Sequence, residues 1–269
     1  MNRTSIISIA RRDLTVVARS RAVSLPIVIL PLFFFVLAPA LLILGAGAIG
    51  NDVAEFEELL ALMPEALRRD LAGLSPAAQV IVWGLEYMFA TFFLIVPLMT
   101  SAVIAADSFA GEKERKTLEA LLYTPTTDLE LFAGKVLGPW LAAVAVSTVG
   151  YIVFVTVASL FGSGVVGRPI ALTPRWLLFV LVLAPGVAAL AIGALVQVSA
   201  RVRGFQEAYQ VGGLVVLPVV VLLLGQLSGV LYLDAAAVMV LAGIVWLVAA
   251  GALAVGYRSF VRERLLVQV

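Results

Sequence analysis

The run Trp83–Ala106, WGLEYMFATFFLIVPLMTSAVIAA, decides the fold: it holds one carboxylate, Glu86, and neither Lys nor Arg. About 20 apolar residues suffice for a helix to cross a ~30 Å hydrocarbon core. Working outward, comparable runs lie at Ser24–Gly47, Val136–Phe161, Trp176–Val198, Val211–Leu231 and Ala235–Tyr257. Of the 269 residues, 62% are apolar and 13% charged, against roughly 45–50% and 25% in a soluble domain. Such a composition excludes a water-soluble surface. Pro31, Pro39, Pro97, Pro185 and Pro218 fall inside the runs, as a membrane helix tolerates when its neighbours re-satisfy the freed backbone groups. The valine-rich stretches are too long for buried strands, and the alternating segments of about 10 residues that a membrane barrel needs are missing. The expected fold is all-α, a polytopic membrane protein with six transmembrane helices.

Charge placement orients it. If the N-terminus is cytoplasmic, 14 of the 18 Lys and Arg fall on the inner side, and only Arg68, Arg69, Arg168 and Arg175 on the outer. The positive-inside bias therefore places both termini in the cytoplasm. Ala46-Gly47-Ala48 has the form of a signal-cleavage site, but the run before it exceeds the usual h-region of about 7–15 residues, so a retained first span is expected. Before that span, Ile6, Ala10, Leu14 and Val17 share one helical stripe, with Arg11, Arg12 and Arg19 elsewhere. This reads as an amphipathic interfacial helix. Asp13 breaks the stripe and either pairs with a neighbouring Arg or docks on another cytoplasmic element.

The expected organisation is one transmembrane domain over 1–269. It comprises the interfacial helix 1–23, two spans in 24–106 around an outer loop 48–82, a cytoplasmic loop 107–135, four spans in 136–257 and a tail 258–269. The outer loop is acidic, and Phe56, Leu59, Leu60 and Met63 have helical spacing. Pro64 interrupts that pattern or opens a second short helix. A solvated cap over the bundle mouth is the simplest reading.

The loop 107–135 reads DSFAGEKERKTLEALLYTPTTDLELFAGK. Gly111 is expected to interrupt the helix leaving the bilayer, and Glu112–Tyr123 to form a short cytoplasmic helix stopped at Pro125. Thr127–Glu130 is a capping box that starts the next helix. Leu118, Leu121 and Leu122 make a small apolar face, which a helix this short needs a partner to stabilise.

At this loop the sequence resembles the type-2, export-type permeases of ABC transporters. The resemblance rests on Glu112, Glu114, Arg115, Thr117, Leu118, Glu119, Leu121, Leu122, Pro125, Gly134 and Lys135, with Lys116 standing where Gly is usual. Arg12, Asp13, Leu14 and Arg19 before Pro31 are similar to the family's N-terminal segment. Ser199, Arg201, Gln206, Ala208 and Gln210 are similar to its second cytoplasmic turn. The resemblance implies a membrane permease subunit, an exporter, in a prokaryotic cytoplasmic membrane. It also implies that Glu112, Glu114, Arg115, Thr117, Leu118, Glu119, Leu121 and Leu122 couple to a separate ATP-binding ABC subunit holding ATP and Mg, and that a second permease chain, identical or different, completes the pathway. The phosphate-cradling G-x-x-x-x-G-K-[ST] is absent from this chain, so ATP would be bound elsewhere.

Two other classes compete. An ion-coupled secondary transporter or channel usually buries several ionisable groups near the midplane, and the runs carry few. An intramembrane enzyme needs a nucleophile with a base, paired acids or a metal. With no Cys and no His, thiolate and imidazole sites are excluded, and no catalytic or metal-ligating set emerges. The near-neutral net charge of +1 gives no reason to invoke nucleic acid. Candidates for touching cargo are Glu86, Thr91, Gln226 and Ser228, each also able to serve as an interhelical hydrogen-bonding group. An apolar interior favours a lipid-like, drug-like or peptidic amphiphile over a small ion as cargo.

Overall fold

The computed structural model describes residues 3–49, 60, 63–115, 126–202, 204–228 and 231–259, and no strand occurs among them. Helix α1 (Arg3–Arg19) precedes the spans. The spans are α2 (Ser24–Ala46), α4 (Pro76–Glu114), α5 (Asp128–Val166), α6 (Pro174–Ser199), α7 (Phe205–Leu227) and α8 (Ala235–Arg258), six helices long and apolar enough to cross a membrane. The short helix α3 (Glu65–Leu71) follows Pro64, as its sequence position leads one to expect.

Burial separates a centre from a periphery. In their most apolar windows α4 and α6 are 78% buried, whereas α2, α7 and α8 are 17%, 22% and 17% buried and α5 is 33% buried. Thus α4 and α6 form the core and the other four turn apolar faces outward. The fully buried Trp176 of α6 joins the layers. Its ring centroid lies 5.6 Å from Phe93 of α4, and 5.6 and 4.9 Å from Tyr151 and Phe154 of α5.

Prolines are accommodated by widened turns. One π-helical turn, Phe33–Leu37, stands immediately before Ala38-Pro39, and another, Phe179–Leu183, before Ala184-Pro185. Widening moves the i−4 carbonyl away from the proline ring, with which it would clash in a regular helix. Near the second turn, the carbonyls of Val182 and Pro185 accept the indole N–H of Trp246 and Trp140, each at 3.0 Å.

Several boundaries differ from the sequence reading. Helix α4 begins at Pro76 rather than Trp83, with Ser75 capping Ala78 N–H at 3.3 Å. At its other end Gly111 does not interrupt it: a π-helical turn, Asp107–Gly111, carries the helix on to Glu114. The glycine instead clears space, since a Cβ there would lie 2.8 Å from Asp107 Oδ1 and 3.1 Å from Arg115 Nη1. Of the expected helix Glu112–Tyr123, the described part is therefore the last turn of α4, and residues 116–125 lie outside the described set. The capping box is formed as expected: Glu130 N–H donates to Thr127 Oγ1 at 3.3 Å and Thr127 N–H to Glu130 Oε2 at 3.1 Å. It starts α5 eight residues before the apolar run and on the same helix. The turn before α8 is closed by Asp234, whose Oδ1 accepts Ala237 N–H at 2.7 Å.

Candidate functional site

Helix α1 packs against the bundle through its apolar stripe. Its stripe residues Ile6, Ala10 and Val17 are buried, Leu14 is half-buried, and Ile9 joins them. The stripe rests on α5 where Gly134 and Gly138 stand one turn apart. A Cβ on Gly134 would meet Ile9 Cβ at 2.8 Å, and one on Gly138 would meet the Ala10 carbonyl at 3.3 Å. Small residues spaced by four let two helix backbones approach this closely.

That approach carries Asp13 to Lys135. The Lys135 side chain is fully buried, and its Nζ donates to Glu112 Oε2 at 2.6 Å and to the Ser108 carbonyl at 2.7 Å, with Asp13 Oδ2 at 3.8 Å. The Phe109 ring centroid lies 5.6 Å from the ammonium. Burying an ion costs several kcal/mol even after relaxation, and two carboxylates with a carbonyl compensate it here. Burial pushes the Asp13 carboxyl up from its ordinary value; the Lys135 charge opposes that rise and Glu112 adds to it. Around this centre, Arg12 lies 3.6 Å from Glu112, and Arg115 Nη1 donates to Asp107 Oδ1 at 2.8 Å.

The same end of α4 reaches α7. Glu114 Oε2 accepts Phe205 N–H at 2.9 Å, supplying from another helix the side-chain cap that Gly204, at the N-cap of α7, has no side chain to give. Lys113 Nζ meets the Val202 carbonyl at 3.4 Å. One charged frame therefore joins α1, α4, α5 and the start of α7.

Of the residues singled out for coupling, Glu112 points inward, while Glu114 and Arg115 are exposed and engage the chain itself. Thr117, Leu118, Glu119, Leu121 and Leu122 lie outside the described residues, as does the side chain of Arg19. Arg12 and Asp13 belong to the frame. The four cargo candidates do not converge. Thr91 donates to Gln226, joining α4 to α7. Ser228 is exposed and donates to the Gly225 carbonyl at 3.0 Å. Glu86 is buried in another π-helical turn, Trp83–Met88, with Oε2 3.6 Å from Arg168. Sequence reasoning missed Lys135 as the centre of the frame, although Gly134-x-x-x-Gly138 beside it was a legible sign of close helix approach. Nothing local to Glu114 pointed to Phe205.

Six apolar helices, four of them around a buried two-helix core, define an integral membrane protein of the polytopic helical class. The chain belongs to the ABC-2 family transporter proteins, whose family model matches residues 7–239, from within α1 to within α8. Its role is that of an ABC transporter permease. Comparison with curated proteins gives no match.

Proposed function

We propose that this chain is the membrane subunit of an exporter powered by a separate ATP-binding subunit, which holds ATP and Mg and docks on the 112–123 segment. In this reading Leu118, Leu121 and Leu122 anchor the docking, and Glu114, Arg115, Thr117 and Glu119 flank them. The whole of 1–269 acts as one permease unit. Both termini face the cytoplasm, the membrane is the prokaryotic cytoplasmic membrane, and a second permease chain completes the pathway. The polar pair Thr91 and Gln226, between α4 and α7, is the candidate for cargo contact.

The observation that carries the reading is the charged frame. A force applied to the segment beyond Arg115 enters α4 at Glu112 and Glu114, which hold α5 and the start of α7. A solvated hairpin would need no such root. The absence of a phosphate-binding motif supports assigning ATP to a partner.

Co-purification of an ATP-binding subunit with the tagged chain tests it. Leu121→Asp should abolish co-purification while membrane insertion persists, because position 121 lies outside every span. Arg115→Glu should weaken it less, since an exposed ion pair is worth about 1 kcal/mol or less. Normal assembly and transport by Leu121→Asp would overturn the docking assignment.

A further inference from the structure

At the end of the bundle opposite the charged frame, Asp70, Glu86, Tyr87, Arg168, Arg175 and Asp234 line a cavity of about 360 Å³, within the range of small-molecule sites. Most of its charges are engaged. Tyr87 donates its hydroxyl to Asp70, Asp234 caps α8, and Arg175 donates to the Glu86 carbonyl with its guanidinium 3.8 Å above the Tyr87 ring. Two atoms are not. Glu86 Oε1 and Arg175 Nε are buried without a hydrogen-bond partner, on residues only 3% and 9% exposed. Buried polar atoms almost always find partners; the Glu86 carboxylate has the Ala171 backbone and Arg168 beside it, and what is left open is its Oε1 and the Arg175 Nε.

The wall carrying Arg168 is built at a conformational cost. Gly167 and Ala171 both have positive φ, 74° and 62°, and Tyr151 donates to the Ala171 carbonyl at 2.8 Å. Alanine rarely adopts that left-handed backbone. The cavity also sits where α5 ends and α6 and α8 begin, at one end of the spans.

We infer that this cavity binds a zwitterion with a primary ammonium beside a phosphate, the chemistry of an ethanolamine phospholipid headgroup or of free phosphoethanolamine. The ammonium supplies N–H donors to Glu86 Oε1. The phosphate supplies oxygens to Arg175 Nε and to Arg168, which lies 3.6 Å from Glu86 Oε2 and is 43% exposed. A trimethylammonium headgroup has no N–H to give, and a phosphatidylglycerol headgroup has no cation. The inference goes beyond the transport reading and stands whether or not an ATPase docks on the chain.

The test is native mass spectrometry of the delipidated full chain offered equal amounts of phosphatidylethanolamine, phosphatidylcholine and phosphatidylglycerol, with soluble phosphoethanolamine titrated separately. Phosphatidylethanolamine should be retained about tenfold over the other two, the worth of one charge-assisted hydrogen bond. Glu86→Gln should lose that preference. Arg168→Gln, altering a side chain 43% exposed and so posing little risk to folding, should weaken it several-fold. Retention of the lipid identifies a lipid source; binding of phosphoethanolamine without lipid preference identifies a free one. Equal retention of all three lipids without phosphoethanolamine binding would overturn the proposal. So would a preference unchanged in both variants.

Discussion

Lys135 Nζ donates to Glu112 Oε2 at 2.6 Å, fastening the first turns of α5 to the last turn of α4 across 23 residues of chain. With Asp13 alongside, the pair makes α1, α4 and α5 one mechanical unit at the foot of the loop.

Removing the cation should therefore destabilise the whole foot. Lys135→Met leaves Glu112 and Asp13 as buried carboxylates without their common partner, a change that costs about 3–5 kcal/mol when one member of a buried pair is deleted. Thermal unfolding of the detergent-solubilised chain should show a clear drop in Tm. The double variant Lys135→Met with Glu112→Leu should lose less than the sum of the singles, since two residues in contact are not additive.

Filling the α1–α5 contact should expel α1. Gly134→Val places methyl groups where Ile9 already sits, and overpacking of this kind costs about 1–3 kcal/mol. The chain has no cysteine, so a single Ile9→Cys reports directly: it should resist a thiol reagent in the parent and react quickly with Gly134→Val added. Equal protection in both would show that α1 can shift without loss.

The docking of α1 should weaken as pH rises above the ordinary carboxylate range. Burial raises the Asp13 carboxyl, so the folded state binds its proton more tightly than the unfolded chain does. The resulting stabilisation is fully present below the unfolded value and is lost as pH rises through the folded one. Asp13→Asn should flatten this part of the pH profile of Ile9→Cys protection. A profile equally steep in the variant would assign the dependence to another group.

Glu114→Ala removes the acceptor at the start of α7, and loss of a helix cap costs about 0.5–2 kcal/mol. Hydrogen exchange should quicken at the first amides of α7, Phe205 above all, while the exchange of the buried α6 core stays as it was. Glu114→Gln, which keeps an acceptor oxygen but loses the charge, should fall between the two.

Topology follows from labelling the same cysteine-free background. Glu57→Cys and Ser163→Cys should react with an impermeant thiol reagent added to intact cells, whereas Glu119→Cys and Glu263→Cys should not. Labelling of Glu119→Cys from outside would invert the orientation on which the proposed docking rests.

Six apolar spans, the short helix after Pro64, the Thr127–Glu130 capping box and the family were legible in the sequence by itself. Each is a local property: transfer of an apolar run into hydrocarbon sums residue by residue along one helix, and a cap is settled within four residues. Even the two wide turns before Pro39 and Pro185 have a local cause in those prolines, although their position could not be read. Only the tertiary structure decided that Lys135, written as the end of a loop, is fully buried, that Glu112 turns inward, and that Glu86 parts company with Thr91 and Gln226. Those outcomes depend on how near two backbones come, and Gly134 against Ile9 sets that distance from 125 residues away. A charge in a sequence carries no sign of its partner; burial and partner are settled together when helices pack.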